Sequence, residues 1–371
     1  MKRFKVVHGI GEDWAHAAQT CADGLADIAS EANIAFIYVT DRLAEDFGNI
    51  LNYLRQKTGI QHWVGSVGVG ICAARTEYYD CRAVAVMAGH IPEQSFRIFP
   101  SISENVNQLS SEHQSWVADA DAHVGIVHGD PNNMKTPQLI DDLAQNHTLF
   151  LVGGLTSSRA ACHQVANRIT GGGVSGIMFG PDVGVQTALS QGCVPVGTHH
   201  LISDCLDNVL IGLDGRPALE VFKEDIGELL ARDLNRVTGY IHAAIPLAGS
   251  DTGDYMVRNL IAIDPEHGWL AIGEPISVGD RVMFVRRDPR TAEHDLKLML
   301  AKLNKRLNGP PRGGVYFSCV ARGPGMFGQP GHEMSLLQDQ LGDIPLVGFY
   351  CGGEISNSRI YGYTGVLALF T

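Results

Sequence analysis

One plan of apolar runs and turns occurs three times along this sequence. The fullest instance spans residues 313–371: GGVYFSCVARGPGMFG, a short helical pattern, IPLVGFYCGGEIS, then the apolar run TGVLALF. An earlier instance runs from Asn33 to about Gly89. There IAFIYVTD ends on Asp41, and helical spacing follows at Leu43, Phe47, Ile50, Leu51 and Leu54. HWVGSVGVG and CRAVAVMAG close it. Between them, Ala122 to Gly180 reads HVGIVHGD ending on Asp130, helical Leu139, Ile140 and Leu143, then LFLVGGLTSS and VSGIMFG. In the last copy Ala321 stands in place of the Asp, and Arg322 follows it. A Val-Gly pair opens the turn after each second strand: Val64-Gly65, Val152-Gly153 and Val347-Gly348. Asp41 lies 23 residues before Val64, Asp130 lies 22 before Val152, and Ala321 lies 26 before Val347. Each copy reads as strand, helix, strand, strand. The strand–helix–strand crossover predicts a parallel, right-handed pair.

The length, 371 residues, suffices for two or three domains. A formal net charge of −12 argues against nucleic acid or an anionic membrane as partner, because both require a basic face. No apolar run approaches the ~20 residues that span a bilayer. The opening MKRFKVVHGIGEDW breaks its apolar run at His8 and Gly9, which does not fit a signal peptide. Asn146-His147-Thr148 is then a chance glycosylation pattern, and a cytoplasmic location is expected. The eight Cys have long, irregular spacings and no Cys-x-x-Cys pair, so free thiols are expected and a local zinc site is not. The fifteen His are scattered, with no His-x-x-x-His pair for a metal.

Lys5 to Ile10 reads as a strand, with a helix capped by Asp13 after it. Gly65 to Gly70, GSVGVG, has the wrong order for a dinucleotide loop, and a strand rather than a helix follows it. Phe96 to Phe99 reads as a strand, and Ser101 to Ala120 as a connection with some helix. Ser157 is read as capping a short helix through His163 to Ile169, stopped by Gly171-Gly172-Gly173. A domain boundary is placed near Gly192, giving domains 1–192 and 193–371. Beyond it, NVLIGL alternates like a strand, Asp214-Gly215 signals a turn, and Pro217 opens a helix to about Asn235. A strand-rich block follows, with a hairpin turn at Asp264 to Gly268. Leu296, Met299, Leu300, Leu303 and Leu307 then mark an amphipathic helix.

HGIGED, IYVTD and WVGSVGVG in the first part, then QGCVPVG, NVLIGLDGRPALEVF, SCVARG and VGFYCGGEIS in order, resemble the FIST family across essentially the whole chain. The landmarks are Cys319, Arg322 and Gly323, then Gly348, Phe349, Tyr350, Gly353 and Glu354. The resemblance implies a FIST N-terminal and a FIST C-terminal domain and a small-ligand sensory module of signal transduction. Amino acids or related metabolites are its suggested ligands. It implies no fixed catalytic set, so no enzymatic activity is expected. No output segment is evident, so a separate signalling protein such as a kinase or cyclase is the expected partner. Some bacterial proteins similar to the family bind haem and sense nitric oxide, which makes haem the alternative to no cofactor. With the repeats, the resemblance predicts an α/β (α+β) protein of two pseudo-related halves. Mixed sheets would be flanked by helices, a four-layer sandwich being one arrangement.

The candidate ligand-binding residues are Cys319, Arg322, Gly323, Tyr350, Cys351, Gly353 and Glu354. Arg322 ends an apolar run before Gly323-Pro324-Gly325, and an Arg fork suits a carboxylate. Glu354 ends the next run and suits an ammonium. Together they fit the two charges of an amino acid in a cleft between the halves. The competing reading is that they pair with each other. Cys319 or Cys351 as a nucleophile with His332 as base is weaker, because a thiol in an apolar run is usually inert core. For haem, His8, His62, His123 and His199 are all conceivable axial residues.

Overall fold

The alternate residues of IAFIYVT are apolar on both sides, so such a strand must be covered on both faces. The computed structural model, which describes residues 3–234, 237, 239–247 and 254–371, does this three times over. Copy one comprises β1 (Lys5–Ile10), α1 (Trp14–Leu25), β2 (Ile34–Thr40), α2 (Phe47–Thr58) and β3 (His62–Gly68). The hairpin β4 (Gly70–Ala73) and β5 (Thr76–Tyr79) and the strand β6 (Ala83–Gly89) complete it. Copy two repeats that order as β7 (Phe96–Ile102), α3 (Ser111–Asp119), β8 (Val124–Gly129), α4 (Thr136–His147) and β9 (Phe150–Leu155). Its hairpin is β10 (Gln164–Ala166) and β11 (Ile169–Thr170), and β12 (Val174–Phe179) ends it.

Copy three opens with β13 (Val185–Ser190) and is then interrupted along the chain by β14 (Cys193–Leu206), β15 (Val209–Leu213), β16 (Arg216–Pro217), α5 (Ala218–Ala231), β17 (Ile241–Pro246), β18 (Tyr255–Asp264), β19 (Trp269–Ile272) and β20 (Arg281–Arg287). It resumes with α6 (Pro289–Asn304), β21 (Gly313–Cys319), the short α7 (Pro324–Phe327), α8 (His332–Leu341) and β22 (Leu346–Cys351). Its hairpin is β23 (Glu354–Ser356) and β24 (Arg359–Tyr361), and β25 (Gly365–Phe370) ends the chain's regular structure. One cut between the compact units falls at 191/192, where the boundary near Gly192 was placed, and a second at 292/293 returns the last segment to the first unit. Residues 1–191 and 293–371 form one unit, and 192–292 the other. The repeated element is also longer than the sequence reading: each copy begins with a strand and a helix that were left outside it there.

In the first unit each copy builds a sheet on a parallel pair, β2/β3, β8/β9 or β21/β22, as the crossover predicts. The strand orders are β1-β6-β2-β3-β10-β11, β24-β23-β9-β8-β12-β7 and β13-β25-β21-β22-β4-β5. The outer hairpin of each sheet comes from another copy. Copy one lends β4–β5 to the sheet of copy three, copy two lends β10–β11 to copy one, and copy three lends β23–β24 to copy two. The three sheets bury one shared core, with Phe36, Tyr38, Ile126, Val152, Phe317 and Phe349 in it. α1 and α2 cover the far face of the first sheet, and α4 that of the second. The mixed sheets and outer helices are as expected. Three sheets around one core, rather than two packed in four layers, is the difference.

The Val-Gly pairs mark one place in each sheet. A Cβ on Gly65, Gly153 or Gly348 would lie 1.7, 1.8 or 1.8 Å from the carbonyl oxygen of Ile37, Val127 or Tyr316. Counted from those three residues, Asp41 is four positions on, Asp130 three and Ala321 five, so the strand-end alignment of the sequence reading slips. The helix expected from Ser157 to Ile169 is a loop and the hairpin β10–β11 instead. Val165 is buried there in the core under α1 and α2, and Asn167 turns the chain at φ 60°.

In the second unit β14 pairs with both β20 and β15, so β14-β20-β17-β18-β19-β15 closes on itself as an antiparallel barrel. Phe222 of α5 and Phe284 of β20 meet in its core with ring centroids 4.7 Å apart. α5 breaks at Gly227 (φ 79°) and ends at Ala231; the expected end, Asn235, lies outside the described residues. Among the described residues no helix is long and apolar enough to cross a membrane.

Candidate functional site

Open α/β sheets offer ligands the carboxyl ends of their parallel strands. At that end of β21/β22, Cys319 is in register with Cys351, so the turns carrying Arg322 and Glu354 lie side by side, as expected. Cys319, Arg322, Gly323, Tyr350, Cys351, Gly353 and Glu354 are all buried there, within the first unit. Arg322 and Glu354 do not pair with each other. Arg322 Nε donates to Glu333 Oε1 at 2.8 Å, both side chains being fully buried. Its Nη2 reaches Ser190 Oγ at 3.2 Å, and the guanidinium lies 5.1 Å from the Phe327 ring centre. Burial opposes the charge on Arg322; the Glu333 carboxylate beside it outweighs that, and the guanidinium stays protonated.

Glu333 sits on α8 in the row Glu333, Leu337, Leu341, which faces the sheet. It also accepts from Tyr316 Oη (2.7 Å), Ser318 Oγ (3.0 Å) and the Gly323 amide (3.3 Å). Glu354 Oε2 accepts from the Thr364 amide (3.0 Å) and hydroxyl (2.8 Å). Burial nevertheless pushes its carboxyl up to about 7, against those donors. Burial also raises the Cys319 and Cys351 thiols, which disfavours the thiolate a nucleophile needs. His332 lies against Glu293 (3.6 Å) and the Phe327 ring.

The hairpin lent by copy one closes this end. Cys72 is opposite Glu77 in it, and Gly70 opposite Tyr79. The Tyr79 and Tyr350 ring centres are 4.7 Å apart. Gly323, at φ 54°, leaves room for Tyr79: a Cβ there would be 2.1 Å from the phenol oxygen. Both carboxyl oxygens of Glu77, the Tyr79 hydroxyl and the Tyr350 hydroxyl are buried and close no hydrogen bond. The Gly331 and Met334 amides and the Tyr350 hydroxyl face Glu77 without reaching bonding geometry. Burial, reinforced by Glu333, holds its carboxyl above the usual range. Buried polar groups are ordinarily satisfied, so four such atoms in one place are unusual. The sequence reading missed Glu77, Tyr79 and Glu333. Glu333 was signalled by its four-residue spacing to Leu337; Glu77 and Tyr79 were not, because only the strand exchange brings them here.

The four histidines named for haem, His8, His62, His123 and His199, stand in different settings, and His123 is exposed. His8 Nδ1 bonds Tyr78 Oη at 2.5 Å, and His199 is exposed. His62 lines a cavity of about 490 Å3, but its Nε2 faces Glu93 at 3.2 Å, and Gln94, Arg97 and Asn167 make the lining polar. His128, buried at the junction of the three sheets, bonds Tyr38 Oη at 3.1 Å and is packed by Phe317 and Phe349. Among the described residues no cluster of three or more His, Cys, Asp or Glu is placed to hold a metal.

Comparison with known proteins agrees with the sequence landmarks. The model of the FIST N domain matches residues 33–216, and that of the FIST C domain residues 218–357. An uncharacterised protein of Mycobacterium tuberculosis is 32% identical over 328 residues, covering 83% of each chain. One of Mycobacterium bovis is 27% identical over 372 residues, covering 95% of each.

Proposed function

Because the chain belongs to the FIST family, whose domains are small-ligand sensory modules, we propose that it senses an amine-bearing metabolite such as an amino acid. The ligand binds under the β4–β5 hairpin. The observation that carries this reading is the set of unsatisfied atoms on Glu77, Tyr79 and Tyr350. Arg322 is already balanced by Glu333, so the neighbourhood has a surplus of carboxyl groups. What it lacks is a second positive charge, and an ammonium brings one together with three N–H donors. Glu77 then takes the ammonium, the two phenols take the adjoining polar atoms, and Arg322 with Glu333 holds the floor. Ordering of a hairpin that belongs to one copy but pairs in the sheet of another is the change a signalling partner reads. That partner is a separate protein, of which a kinase or cyclase is the expected type.

The test is a thermal-shift and calorimetric screen of amino acids and biogenic amines. A ligand at a hundredfold excess over its Kd should stabilise the protein by about 2.7 kcal/mol. E77Q and Y79F should each weaken it at least tenfold while leaving the unliganded melt within a few degrees. No shift across the panel, or unchanged affinity in both variants, overturns the reading.

A further inference from the structure

The opposite end of the same strand pair carries a second, unlike feature. A cavity of about 600 Å3 is lined by Arg3, Arg306 and Arg312, with Gln186, Asn308 and Thr371 among their neighbours, and its lining holds no Asp or Glu. In a chain of net charge −12, three arginines without a carboxylate between them are conspicuous. Arg306 Nη2 donates to the Thr187 carbonyl at 2.7 Å, and Arg3 to that of Asp343. These bonds orient the side chains and leave the charge unneutralised. The Asp343 carboxylate is engaged by Arg75 at 2.9 Å. Even with an α-carboxylate counted at Thr371, positive charge is in excess.

The repeat supplies an internal control. Arg312 precedes β21 by the same step as Asn33 precedes β2 and His123 precedes β8, four residues before the glycine-facing position. All three donate their backbone amide to the same place in the last strand, at Gly89, Phe179 and Phe370. Only copy three has Arg there. The loop around it is stiffened by Pro310 and Pro311, and the Phe4 amide bonds the Arg312 carbonyl at 2.8 Å, which brings Arg3 to the rim.

We propose that this cavity binds a small oxyanion carrying two or more negative charges, a phosphorylated or polycarboxylate metabolite. The arginine forks grip its oxygens in pairs. The site is separate from the Glu77 pocket and does not depend on it.

The experiment is isothermal titration of the full chain with pyrophosphate and with citrate, each against sodium chloride at matched ionic strength. At least one should bind saturably. R312Q should weaken it tenfold or more, and the exposed-site variants R3Q and R306Q several-fold, while E77Q leaves it unchanged. Binding of pyrophosphate alone identifies the phosphoryl source, and of citrate alone the carboxylate source. Binding no better than chloride overturns the proposal, as does unchanged affinity in R3Q, R306Q and R312Q. If R312Q does not fold, R3Q and R306Q still decide the matter, because both side chains are exposed.

Discussion

Arg322 is where the sequence was most informative and most misleading. A cation ending an apolar run beside glycines was visible as a site marker. Its partner was sought on the neighbouring strand end, at Glu354, because strand order was the only geometry at hand. The partner is Glu333, one helix turn before Leu337 on a face that is otherwise apolar. Helical spacing carried that information, since a Glu in an apolar row is either paired or absent. With both side chains fully buried, R322A leaves a carboxylate without its ion partner, at a cost of about 3–5 kcal/mol. Removing both charges, as R322M with E333Q, should cost several kcal/mol less than the two single losses added together. Urea unfolding of the four proteins of this cycle at pH 7 measures it. Additive losses would mean that the pair is not energetically coupled.

At the scale of elements, His200 ties the barrel together. It lies on β14, and its Nδ1 faces Asp214 in the turn after β15 at 2.6 Å, its Nε2 Asp225 of α5 at 2.8 Å. An imidazole can donate from both nitrogens only when protonated. Burial lowers its affinity for the proton, the two carboxylates raise it, and the carboxylates prevail, so its pKa stands above 6.5. A base whose folded pKa is raised stabilises fully below its unfolded value and loses that contribution as pH climbs through the folded one. The stability gap between wild type and H200Q should therefore be widest near pH 6 and narrow steadily towards pH 9. A constant gap over that range would assign His200 a packing role only. None of this clasp was legible beforehand. The strand, the Asp214-Gly215 turn and the helix after Pro217 were each read correctly, but only closure of the barrel brings Asp225 to His200.

The whole first unit poses the question of what three copies gain from exchanging hairpins. Repetition was legible because the close approach at Gly65, Gly153 and Gly348 demands glycine at one spacing, and no other residue satisfies it. The exchange was not legible, since hairpins of two to four residues a strand carry almost no periodic signal. Its consequence is mechanical. Each Gly-bearing strand pairs on one side with its own copy and on the other with a borrowed hairpin: β3 with β10, β9 with β23, β22 with β4. No copy can complete its sheet alone, and the circle of loans has no end at which unfolding can start. Damage to one copy should then lower the stability of all three equally. In G348A the added methyl meets the Tyr316 carbonyl, an overlap that forces backbone displacement and costs about 3 kcal/mol. Native-state hydrogen exchange should show amides of β2, β8 and β21 losing protection by the same amount in G348A, although only β21 adjoins the substitution. Loss confined to β21 and β22 would show that the copies unfold separately despite the exchange. A uniform loss makes the unit one cooperative body, in which a ligand closing the β4–β5 hairpin acts on the sheets of copies one and three at once.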